Sequence, residues 1–132
     1  MNGVKSRKVL VVDDESAIIE LIRLILTEEG YDVHTAKDGR EGIRLFNQID
    51  PDIVLTDIVM PDMEGIEFIQ TIAKMKKGLP IIAMSGNVMG KGFLNAAHLL
   101  GAMRVLHKPF TSAELIDAVG SVPTTKGDNV KY

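Results

Sequence analysis

Cysteine is missing from all 132 residues, so a disulfide scaffold, a thiolate metal site and a cysteine nucleophile are excluded together. Positive charge is not in excess either. The net charge of -3 argues against direct nucleic-acid binding, which wants a basic surface. No apolar run approaches the roughly 18 residues of a membrane span, and residues 1–8 lack the apolar core of a signal peptide, so no membrane contact is expected and the cytoplasm is the expected location. The length leaves no room for a second domain beside one sizeable core. There is no internal repeat and no low-complexity block. The three histidines, His34, His98 and His107, show no metal-ligand spacing.

What is present is a repeated pattern: four apolar runs each give way to a polar residue of a chemically useful type. Residues 9–12 lead to Asp13 and Asp14, residues 53–55 to Asp57, residues 81–84 to Ser85, and Val105-Leu106 to Lys108. A carboxylate where a buried strand runs out is either a costly accident or a reactive group at the rim of a core. Asp57 is read as reactive.

Between these runs lie helical patterns. Asp13-Asp14-Glu15-Ser16 suits a helix start, with Ile18, Leu21, Ile22 and Ile25 as its inner face and Gly30 as its stop. Simple helix capping is the plain alternative for this acidic pair. Residues 31–36 read as a strand, and Asp38 with Glu41 has capping-box spacing ahead of a helix carrying Ile43, Leu45 and Phe46. Ile66, Phe68, Ile69 and Ile72 mark a third helix that fades into the lysines at 74, 76 and 77, read as a solvated helix end. Residues 79–84 form a strand. The helix after it starts weakly, because Gly90 and Gly92 each cost about 1 kcal/mol against alanine; it is expected to be mobile, with Phe93, Ala96, Ala97 and Leu100 on its face. Residues 103–106 form a last strand. Thr111 and Glu114 cap a helix lined by Leu115, Ala118, Val119 and Val122, and residues 123–132 read as a polar, disordered tail.

Five strands alternating with five helices predict an α/β fold: a doubly wound parallel (βα)5 sheet of three layers, flavodoxin-like, in strand order 2-1-3-4-5. That order puts the ends of strands one and three side by side. Asp13, Asp14 and Asp57 would then repel one another unless protonated or bridged, and Mg²⁺ (or Mn²⁺) is the natural bridge for an oxygen-only site. Lys108 could reach Asp57, and a carboxylate flanked by a metal, a lysine and the Ser85 hydroxyl is equipped to attack a phosphoryl group.

Val-Asp-Asp-Glu at 12–15, Asp57 followed by Met60-Pro61-Asp62-Met63-Glu64-Gly65, Met84-Ser85-Gly86 and Lys108-Pro109-Phe110 resemble, in order and spacing, the receiver domains of two-component response regulators. The resemblance covers residues 7–121 and implies a receiver at 1–122, of the stand-alone, chemotaxis-regulator-like kind. It implies that Asp57 is the phospho-acceptor, that Asp13 and Asp14 hold Mg²⁺ with the backbone carbonyl of Val59, that Ser85 is the switch hydroxyl and that Lys108 is the phosphate counter-ion. It also implies a cis bond at Lys108-Pro109, a histidine kinase or histidine phosphotransfer protein as phosphodonor, a downstream protein target or phosphorelay, and a signalling switch rather than an enzyme.

The chain departs from the family pattern at Val105, where many relatives carry Tyr or Phe, so a ring flip is not the readout. An output surface on the fourth helix, fifth strand and fifth helix is expected. Val59 and Asn87 occupy positions that influence water access in the family, and the aliphatic Val59 predicts a long-lived phosphoryl group. Among rivals, an aspartyl phosphatase of the haloacid-dehalogenase kind wants Asp-x-Asp after the first strand, where this chain has Asp13-x-Glu15. A flavin module wants a hydroxyl- and glycine-rich phosphate loop there. A non-phosphorylated receiver used as a docking scaffold has little reason to keep all five site residues.

Overall fold

In the computed structural model the alternating pattern resolves into one parallel sheet. The structure describes residues 6–58, 65–86 and 101–123. Strands β1 (Lys8–Val12), β2 (Asp32–Ala36), β3 (Ile53–Asp57), β4 (Ile81–Ser85) and β5 (Arg104–His107) lie in the order β2-β1-β3-β4-β5, every neighbour parallel. Three helices follow the first three strands: α1 (Ser16–Glu28), α2 (Gly39–Ile49) and α3 (Gly65–Met75); a C-terminal helix (Ser112–Ser121) follows β5. This is the expected flavodoxin-like arrangement. The predicted fourth helix and residues 124–132 lie outside the described residues, as do residues 1–5 and 59–64.

The period of two along each strand builds two cores. On one face Leu10, Val12, Val54, Ile81 and Ala83 pack with Phe46 of α2 and Phe68, Ile69 and Ile72 of α3. On the other, Val9, Val11, Ile53, Leu55, Ile82 and Met84 meet Ile22 and Leu26 of α1 and Leu115, Ala118 and Val119 of the C-terminal helix. Both faces are covered, so β3 and β4 are buried along their whole length.

Capping follows the sequence signals with one shift. Thr111 and Glu114 form a complete capping box, with the Thr111 hydroxyl accepting from the Glu114 amide at 3.0 Å and the Glu114 carboxylate from the Thr111 amide at 2.8 Å. Asp38 accepts from the Glu41 amide at 2.9 Å, but the Glu41 carboxylate reaches one residue further back, to the Lys37 amide. Gly30, at φ +96°, ends α1 as expected.

Two expectations need correcting. The inner face of α1 is Ile19, Ile22 and Leu26, whereas Leu21 is 43% exposed and Ile18 and Ile25 are only partly buried. The lysine cluster after α3 is not merely solvated. Lys76 Nζ donates to Asp50 Oδ1 and to the Pro51 carbonyl, both at 2.8 Å, tying the end of α3 to the turn before β3.

Candidate functional site

The site lies where the strands end, and the sheet itself positions its parts. The Asp13 amide donates to the Ala36 carbonyl at 3.1 Å, which carries the β1–β2 pairing one residue past β1. The chain then turns. Asp13 Oδ1 accepts from the Glu15 amide at 2.9 Å, and the Glu15 carbonyl accepts the first helical bond of α1 from Ile19. Asp13 thus fixes the approach to α1, but it does so from a fully buried position, while Asp14 is exposed. No side chain caps α1, which corrects the expectation that the acids there serve the helix end.

Asp57 is the last residue of β3, with its side chain 11% exposed: at the rim of the core, open to solvent at the tip. The Ile58 amide donates to the Met84 carbonyl at 3.0 Å and the Gly65 amide returns to the Ile58 carbonyl at 2.7 Å. A Cβ on Gly65 would collide with the Asp57 carbonyl oxygen and the Ile58 backbone, so only glycine lets α3 begin this close to Asp57. Ser85 is the buried last residue of β4, one residue beyond the expected end of that strand, and its hydroxyl donates to the Gly86 carbonyl at 3.2 Å. Its carbonyl accepts from the Lys108 amide at 2.7 Å, which sets the start of the cis Lys108–Pro109 bond against β4.

These elements bring carboxylate oxygens of Asp13, Asp14 and Asp57 within 4.8 Å of one another. Like charges about 4 Å apart repel by roughly 4 kcal/mol per pair near a protein surface. Lys108 relieves part of this. Its Nζ stands 2.7 Å from Asp13 Oδ2, 3.0 Å from Glu15 Oε1 and 3.4 Å from Asp57 Oδ2. Burial raises the Asp13 carboxyl above its ordinary range, partly offset by the hydrogen bond and charge of Lys108 and the Glu15 amide, while the Asp57 charge adds to the rise. Burial pulls Lys108 down, but its bonds to Asp13 and Glu15 and the charges of Asp13 and Asp57 outweigh that and hold it above its ordinary value. The lysine is therefore the member of the group whose charge is secure.

A divalent cation fits the donor set: hard oxygen ligands, crowded and incompletely neutralised. Asp13, Asp14, Asp57 and Lys108 are brought together, and Ser85 ends the strand next to β3. The Val59 carbonyl and Asn87 lie outside the described residues, as does His98. His34 pairs with Asp32 at 3.2 Å on β2, and His107 is exposed at the end of β5. Val105 is partly buried against the first core. Two contributors had no expected part in the site: Glu15, which the sequence marks as part of a helix start and of Val-Asp-Asp-Glu, and Gly65, which closes the motif after Asp57. A cleft of about 260 Å³, lined by Asp14, Thr35, Lys37 and Glu41 among others, opens toward β2 and shares only Asp14 with the acidic group. Among the described residues no helix is long and apolar enough to cross a membrane.

Comparison with known proteins converges on one family. The profile of the response regulator receiver domain matches residues 9–120. The chain is similar to the chemotaxis protein CheY4 of Vibrio cholerae, at 30% identity and TM-score 0.84, covering 89% of this chain and 99% of that one. A CheY-like receiver domain protein of Methanospirillum hungatei matches at 28% identity and TM-score 0.83, over 88% and 92% of the two chains. NtrX of Brucella abortus, in complex with ADP, matches at 29% identity and TM-score 0.85, over 89% of this chain but 27% of NtrX.

Proposed function

This chain belongs to the response regulator receiver domain family, and from that membership we propose a phosphorylation-dependent signalling switch whose acceptor is Asp57. The observation that carries the reading is the lysine: one ammonium within 3.4 Å of three carboxylates, among them Asp57 at the rim of β3 and Asp13 buried after β1. An Asp57 carboxylate oxygen attacks the phosphorus of a phosphohistidine on a histidine kinase or phosphotransfer protein. The O–P bond forms as the P–N bond breaks, and the imidazole nitrogen leaves with the electron pair and takes up a proton.

Asp13, Asp14 and Asp57, with the Val59 carbonyl, would hold Mg²⁺, which supplies charge neutralisation for the phosphoryl oxygens when bound. The chain's own parts do the rest. Lys108 sets a positive charge beside Asp57, the β3 end fixes the direction of the carboxylate, and the Ser85 hydroxyl exchanges its bond to Gly86 for one to a phosphoryl oxygen. We assign the output to the face that includes β5 and the C-terminal helix, acting in the cytoplasm on a protein target or a phosphorelay partner. Beryllofluoride, a stand-in for the phosphoryl group, tests the reading. With Mg²⁺ it is expected to bind the parent and shift amides on that face, and to leave Asp57→Asn unchanged; equal binding to both proteins would remove Asp57 as the acceptor.

A further inference from the structure

Three carboxylates touch Lys108, and they are not the same three that crowd together as cation ligands. Asp13 and Asp57 belong to both sets; Asp14 belongs only to the second and Glu15 only to the first. A cation on Asp13 and Asp57 would compete for two of the lysine's three acids and leave Glu15 untouched. Its contact, at 3.0 Å, is also shorter than the 3.4 Å from Lys108 to Asp57.

We propose that Glu15 is a positioning residue that holds Lys108 back from Asp57 and must release it for the phosphoryl group to be gripped. The proposal rests on Asp57 being the acceptor, as above, and adds a control on when its counter-ion becomes available. Two consequences have opposite sign. In the cation-bound protein the Lys108–Glu15 contact competes with any contact between Lys108 and an anion on Asp57, so removing the Glu15 charge favours the anion. A divalent cation entering the site meets the positive charge of Lys108, which Glu15 partly neutralises, so removing Glu15 disfavours the cation.

Glu15→Gln separates these effects. The glutamate side chain makes no capping bond to α1, and it is 59% exposed, so the variant is expected to fold like the parent. Calorimetric titrations with Mg²⁺ alone, and then with beryllofluoride at saturating Mg²⁺, give the two affinities. An exposed ion pair contributes up to about 1 kcal/mol, so each shift is expected to be about 2- to 5-fold: weaker for Mg²⁺, tighter for beryllofluoride. Glu20→Gln removes the same charge from α1, where Glu20 pairs with Arg23 at 3.7 Å, and is expected to change neither. Affinities that stay put, move together, or move equally in Glu20→Gln would overturn the role of Glu15 while leaving Asp57 as acceptor. A parent that fails to bind beryllofluoride, or an Asp57→Asn variant that binds it equally, removes the acceptor and this control with it.

Discussion

The two ends of the sheet both set acids beside lysines, in different proportions. Where the strands begin, Asp52 accepts from the Lys8 amide at 2.8 Å and returns its own amide to the Lys8 carbonyl at 2.8 Å. Lys8 Nζ donates to the Ile49 carbonyl at 3.0 Å, and Lys76 clamps Asp50 and Pro51. Of the two carboxylates there, Asp52 is held by a backbone amide and Asp50 by the Lys76 ammonium, while backbone carbonyls accept from both lysine side chains. Where the strands end, Asp13, Glu15 and Asp57 share the ammonium of Lys108, and Asp14 crowds against Asp13 and Asp57. The first arrangement holds turns in place. The second keeps like charges together, an arrangement that repels unless a proton or a cation intervenes.

The largest effect is expected at Gly65, where the two roles meet. Gly65→Ala puts a methyl group into the Asp57 carbonyl and Ile58, backbone atoms that cannot step aside, so about 3 kcal/mol should be lost in denaturant unfolding. A loss under about 1 kcal/mol would mean that the β3 end is softer than its hydrogen bonds imply. Asp52→Ala comes next. It strands the Lys8 amide and should cost about 1–3 kcal/mol.

Asp57→Asn provides the sharper contrast, because its sign is reversed. Removing one of three crowded charges should stabilise the metal-free protein by about 1 kcal/mol, in the range of other stabilising substitutions. The same denaturant series measures both variants. If Asp57→Asn loses stability as Asp52→Ala does, the two ends are built alike and the contrast fails.

The strand ends were legible in sequence because burial and period fix them: a run of apolar residues on a sheet covered on both faces can only stop at its edge. Asp13, Asp57, Ser85 and Lys108 followed from that logic. The α1 face was not legible, since Ile18, Ile19, Leu21, Ile22, Leu24, Ile25 and Leu26 make several helical phases nearly equivalent. Only packing against β1 and the C-terminal helix selects Ile19, Ile22 and Leu26. Nor could local pattern show the Lys76–Asp50 clamp or the Glu15–Lys108 contact, which join residues 26 and 93 positions apart. Such pairs exist only once the sheet order has been realised in space.

The smallest expected effect is a pH dependence confined to the end where charges are unbalanced. Burial raises the Asp13 carboxyl in the folded protein, so over the window from the ordinary carboxylate range, near pH 4, up to the raised value the folded state holds more proton than the unfolded chain. This group therefore makes stability fall as pH rises through that window, and makes no further change above it. Lys108 adds no slope there, because its charge is held above its ordinary range and its contribution is complete until strongly alkaline pH. Denaturant midpoints of the parent and Asp13→Asn between pH 4 and 7 isolate the contribution: without metal, the difference should turn against the parent with rising pH. With saturating Mg²⁺, which binds the ionised carboxyl, it should turn in the parent's favour, since the cation must displace a proton at the acid end and none at neutral pH. A difference that is flat in both conditions would show that the buried carboxyl of Asp13 is already balanced by Lys108, and that the two ends of the sheet differ in the number of their charges but not in their cost.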